Sequence, residues 1–262
     1  MTVLSAPGTF GTLRYEALMA VRRRILWYAM APLSLLALMA VTNLPGSIDD
    51  GVRHAGNAAV TAAMICVPGV VVALADRLAE GTRAGMGELV AAAPCSGAAR
   101  LAAMLAAPLG VALLPPLLVV LSAGLMGALA DGGPVPIGAA LLAFGVVLLP
   151  GAAAATAFAA LLGLLMPPVL ARVAAALVWF WSTIATPQLS PVPTPTGTLL
   201  SPSGGYPAAA WAGQPEVLAH RFLDGPLSPP ASTGWALVNL AIVGGMTVLF
   251  VVLSGLAIAG RR

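Results

Sequence analysis

The stretch ADRLAEGTRAGMGELVAAAPCSGAAR (75–100) gathers Asp76, Arg77, Glu80, Arg83, Glu88 and Arg100 between two long runs that carry almost no charge. Three- and four-residue spacings along 76–88 place the carboxylates and guanidiniums on neighbouring helical turns, with Glu80 and Arg83 a favourable pair. Such a compact, charge-neutral cluster between apolar runs is a candidate surface for contacting a partner. An ordinary solvated connector is the other reading of the same residues. Two further groups could do chemistry. Asp49, Asp50 and His54 offer metal-ligating atoms, but their spacing fits no established pattern. His220 with Glu216 or Asp224 would make an acid–base pair, and a short helix that merely carries these side chains is the competing account.

Much chemistry is excluded. All 12 basic residues other than the two histidines are arginines, so a Walker-type phosphate loop with its lysine cannot exist. Both histidines are expected outside the spans, which rules out axial ligation of a membrane haem. No carboxylate is expected at mid-depth, where proton-driven carriers keep one. Thr61, Ser122, Thr156, Asn239 and Thr247 read as interhelical hydrogen-bonding groups. Cys66 and Cys95 read as two free thiols. No basic stripe with interleaved aromatics exists, so nucleic acid is not an expected partner.

The elements that would position these residues are set by hydropathy. The 262 residues are 60% hydrophobic and 8% charged, where soluble domains carry about 25% charged residues. The fold class is therefore all-α and polytopic, because continuous apolar runs without alternation exclude barrel strands. About 20 apolar residues cross a bilayer, and six runs qualify: 25–42, 58–75, one within 101–130, one within 137–166, 168–187 and 235–259. Pro108, Pro115, Pro116 and Pro150 should kink the third and fourth. With the N-terminus inside, ten arginines fall in the cytoplasm and only Arg53 and Arg221 outside, a strong positive-inside bias. Trp27, Tyr28, Trp179, Trp181 and Trp235 fall near span ends, as interfacial aromatics do. Arg172, in the first turns of span five, is expected to snorkel to the cytoplasmic face. The triplet Arg22–Arg24 also resembles a twin-arginine leader, although no A-x-A cleavage site follows.

The chain divides into a tail with an interfacial helix (1–24) and a six-helix transmembrane domain (25–262). In 8–24, Phe10, Leu13, Ala17, Ala20 and Val21 share one face and Glu16, Arg22 and Arg23 fall roughly opposite, as for a helix lying in the headgroup layer. A frayed N-terminus is the alternative. Residues 43–57 read as a solvated outer loop. Helix formers run from 76 to 93, where Pro94 ends the run. The outer insert 188–234 contains nine prolines, yet Pro215 and Gly225 bracket a short amphipathic, re-entrant helix over 214–225. A chain that moves or holds something in a membrane without a visible energy source should draw that energy from a partner, and the cytoplasmic cluster is where contact is expected.

In this order of elements the chain resembles the permease subunit of an ABC-2 type exporter. RYEALMAVRRR before span one and DRLAEGTRAGMGELVAAAPCSGAARLAAMLAAPL (76–109) carry the likeness, with Glu88, Leu89 and Pro94 similar to the family's stretch before span three. The absence of lysine is a departure, ascribed to composition; with the Ala, Gly and Pro richness it points to a GC-rich bacterial genome. The resemblance implies a non-catalytic subunit in a bacterial inner membrane, with both termini cytoplasmic and no cofactor of its own. Two ABC ATP-binding subunits would hold ATP and Mg, and a second permease, identical or related, would complete the complex among membrane lipids. The 76–93 segment would be the coupling helix, with Asp76, Arg77, Glu80, Arg83 and Glu88 contacting the ATPase. Spans one, two and five would line a path for an apolar or amphipathic cargo, with 214–225 at its outer mouth. A self-contained secondary carrier or channel, and a membrane enzyme or anchoring subunit, are the other classes carried forward.

Overall fold

The computed structural model describes residues 7–43, 50–83, 97–185, 192–213 and 227–260. Among these there are helices and connecting loops but no strand. In chain order they are α1 (Pro7–Arg22), α2 (Arg24–Thr42), α3 (Gly51–Leu74), α4 (Arg77–Arg83), α5 (Gly97–Ala112), α6 (Leu114–Asp131), α7 (Val135–Ala143), α8 (Leu149–Leu165), α9 (Pro168–Thr183), α10 (Gly205–Trp211) and α11 (Thr233–Ala259). A π-helical segment, Phe144–Leu148, joins α7 to α8 without a break.

Among the described residues, five helical stretches are long and apolar enough to cross a membrane: Arg24–Thr42, Gly51–Glu80, Leu114–Asp131, Val135–Leu165 and Thr233–Ala259. The molecule therefore belongs to the class of helical, multi-pass membrane proteins. The expected fifth span, 168–187, is α9, whose 16 residues rise about 24 Å, short of a hydrocarbon core of about 30 Å.

Helix α3 is the axis of the bundle. It packs against α2, α6, α7, α8 and α9, and 78% of its most apolar stretch is buried, against 17% for α11. Small residues let the neighbours close in. A Cβ on Gly127 would stand 2.6 Å from the Gly51 Cα, and one on Gly163 would stand 1.9 Å from the Ala75 carbonyl oxygen. These contacts also fix direction. Gly51 meets Gly127 and donates its N–H to Asp131 Oδ2 (3.2 Å) at one end of the bundle. Gly51 also meets Pro136 at the start of α7, and Gly163 of α8 meets Ala75 at the other end, so α3 and α7–α8 run side by side in the same sense.

Several expectations are sharpened or changed. Span two begins at Gly51, not at residue 58. The Asp50 carboxylate caps α3 by accepting from the Val52 and Arg53 N–H groups, as N-cap aspartates do. That places His54 and Asn57 inside the helix and buried rather than in a solvated loop. The third run is two helices: α5 ends where Pro115 and Pro116 enter the first turn of α6, the place a helix tolerates missing N–H donors. The fourth run stays helical through Pro150, and its irregularity is the π turn just before it, which widens the helix where the ring would otherwise meet the carbonyl four residues back. Trp179, expected near a span end as an interfacial aromatic, is 3% exposed and packed within the protein.

Residues 192–213 fold over the end of the bundle opposite Ala75. Asn239 of α11 donates to the Leu199 (2.7 Å) and Ser201 (3.1 Å) carbonyls. Ser201 Oγ donates to the Ser182 carbonyl at 2.9 Å, and the Tyr206 hydroxyl to the Pro229 carbonyl at 3.0 Å. Asn239 thus anchors the insert rather than a neighbouring span. Ser122 and Thr247 likewise bond carbonyls of their own helices. The helix expected at 214–225, with Glu216, His220 and Asp224, lies outside the described residues.

Candidate functional site, an ion-pair hub at the arginine-rich end

Two residues past the end of α3, at Asp76, the charged cluster becomes a junction. Ala75 and Asp76 continue the rise of α3, since the Ala75 N–H reaches the Val71 carbonyl and the Glu80 N–H reaches the Asp76 carbonyl. Helix α4 therefore extends the central helix and rests on α8. Leu78 and Ala79 bury themselves beside Leu105, Ala160 and Leu164. Its charged face is fixed by three ion pairs. Asp76 Oδ2 accepts from Arg172 of α9 at 2.5 Å. Arg77 donates to Glu16 of α1. Glu80 accepts from Arg23, at the break between α1 and α2.

The pairs differ in exposure. Arg77 and Glu16 retain only 11% and 12% of their side-chain surface, whereas Glu80 keeps 47%. Where water is scarce, an unpaired charge costs several kcal/mol, so the partners are held together even though the pair itself adds little net stability. Asp76 and Arg77 are accordingly spent within the chain, and of these three residues Glu80 is the accessible one. Arg172 does not snorkel freely; Asp76 holds it. The Arg83 side chain and Glu88 lie outside the described set, as does most of the 76–93 segment beyond α4.

Sequence reasoning missed Glu16, Arg23 and Arg172 as members of the hub. Glu16 carried a signal: it is the sole acid before Asp49. A lone carboxylate beside apolar spans needs a partner. It was expected opposite the apolar face of α1; instead it turns inward to Arg77, together with Ala17 and Ala20. Phe10 and Val21 point outward at 73% and 47% exposure. The ion pair outweighs the apolar stripe because Ala17 and Ala20 are small enough to let α1 approach α5 along that side.

Other candidates fare differently. Among the described residues, no three His, Cys, Asp or Glu side chains are grouped to hold a metal ion. Asp50 is committed to capping, His54 is buried, and Asp49 lies outside the described set. Helix α3, expected to line a path, exposes only Val72. Compared with family models, curated proteins and solved structures, the chain matches none.

Proposed function

We propose that this chain is the membrane-spanning permease subunit of an ATP-driven exporter of the ABC-2 type. In this reading it works in a bacterial inner membrane with both termini cytoplasmic, paired with a second permease and served by two separate ATP-binding subunits that carry ATP and Mg. The observation that supports the reading is the hub. The central helix of the bundle runs into a short charged helix that is tied to α1, to the α1–α2 corner and to α9. A push on α4 is then delivered to three elements at once, which is what a subunit without its own fuel requires. Glu80, with Arg83 and Glu88, would face the ATPase, while Asp76 and Arg77 would pass the load on. With α3 enclosed, faces of α2 and α9 remain to line a path for an apolar or amphipathic cargo.

The test is purification from native membranes. A soluble ATPase should co-purify, and reversing Glu80 and Glu88 to Arg should uncouple its hydrolysis from transport. Unchanged coupling, or no ATPase, overturns the assignment. The second reading is a self-contained carrier or channel. Asn57 favours it: the side chain is fully buried in α3 and neither amide atom has a hydrogen-bond partner among the described residues, a cost that a polar cargo would relieve. Gradient-driven flux from the purified chain alone in liposomes would decide for it.

A further inference from the structure

The Glu16–Arg77 pair has an effect on the opposite side of α1. By turning inward, Glu16 removes the helix's only carboxylate from its outer surface. What remains exposed is Arg14 and Arg22 among Phe10, Leu13, Tyr15, Leu18 and Val21, continued at the corner by Arg24, Ile25 and Tyr28. Among the described residues no carboxylate pairs with Arg14, Arg22 or Arg24. The corner itself is set: Trp27 Nε1 donates to the Val21 carbonyl at 2.8 Å, tying the first turns of α2 back to the end of α1. Since α2 is apolar and long enough to enter the bilayer, α1 is held at the level where that span meets the headgroups.

We propose that this face binds the anionic phospholipid headgroups of its own leaflet, selecting them over zwitterionic ones. Exposed apolar and aromatic side chains alone would seat α1 in any interface. Three unneutralised positive charges add a preference for headgroups of net negative charge, at about 1 kcal/mol each near an anionic surface. An acid retained on the same face would cancel part of that field, so the inward ion pair is what makes the face selective. This goes beyond the exporter reading and does not rest on it; it needs only that α2 spans a membrane.

The experiment uses the full-length protein in nanodiscs of phosphatidylcholine mixed with phosphatidylglycerol at increasing fractions. After detergent extraction, the lipids retained by the protein are measured by native mass spectrometry. The natural sequence should retain phosphatidylglycerol in excess of its share, and the excess should fall as salt is raised. The triple variant Arg14→Gln, Arg22→Gln, Arg24→Gln should lose it, about fivefold in relative affinity per arginine removed. The triple lysine variant should keep most of it. Should the triple Gln variant fail to insert, Arg14→Gln alone, on α1 and outside any span, should still show its single share of the loss. Retention in proportion to bulk composition overturns the proposal. So does an excess that survives in the Gln variants, or one lost on exchange to lysine. Binding of a soluble acidic protein to this face in phosphatidylcholine alone would assign the surface to a different partner and equally overturn it.

Discussion

Asp76 and Arg172 sit 96 positions apart and meet at 2.5 Å across the end of α3. With 13% and 31% of their side-chain surface left, neither is bathed in water, so removing one strands the other. Asp76→Asn or Arg172→Gln should each lower stability by about 1–3 kcal/mol, as for a broken charged hydrogen bond in a partly buried site. The exchange Asp76→Arg with Arg172→Asp should recover part of that loss. Thermal unfolding of the four proteins in one detergent forms a double-mutant cycle; additive losses would show that the two side chains are not coupled. The sequence announced Asp76 as charged and near a span end. It did not announce the partner, because two helices separated by most of the chain reveal nothing of their adjacency in spacing alone.

The packing of α8 on α3 depends on the absence of side chains. At Gly163 a methyl would collide with the Ala75 carbonyl oxygen, and backbone cannot rotate aside as a flexible side chain can. Gly163→Ala should therefore cost about 1–3 kcal/mol, the range for overpacking a tight interior. Gly138→Ala and Gly244→Ala, at positions with nothing within 4 Å of the added atom, should be neutral or slightly stabilising, since Ala suits a helix better than Gly. Melting temperatures in one detergent separate the two groups; a harmless Gly163→Ala would show that α3 and α8 are less closely apposed. Element existence was legible from hydropathy, because a bilayer leaves the backbone few alternatives to helix. Boundaries were less so. Residues 51–57 looked like a loop because Asp50, Arg53, His54 and Asn57 are polar. They are helical because Asp50 caps them and Gly51 and Gly56 let α6 and the insert cover them.

Across the molecule, charge is sorted by end. Arg23, Arg77 and Arg172 cluster with Glu16, Asp76 and Glu80 at one end, while Asp50, Arg53 and Asp131 lie at the other beneath the insert. Thiol labelling reads the orientation. Cys66 is fully buried in α3, so an impermeant maleimide should react at Cys95 alone. In intact cells it should react only after the membrane is opened, if the arginine-rich end faces the cytoplasm as the positive-inside pattern predicts. Prompt labelling of intact cells, abolished by Cys95→Ser, would reverse the orientation.

Composition and hydropathy by themselves determined that this is a helical membrane protein, because the bilayer acts on each segment separately. Which helix is central, which carboxylate meets which guanidinium, and which face of α1 is left cationic were decided only by the tertiary structure. Those choices depend on small residues far apart in the chain coming within van der Waals reach, and on charges that water can no longer screen. Neither condition is written into any local stretch of sequence.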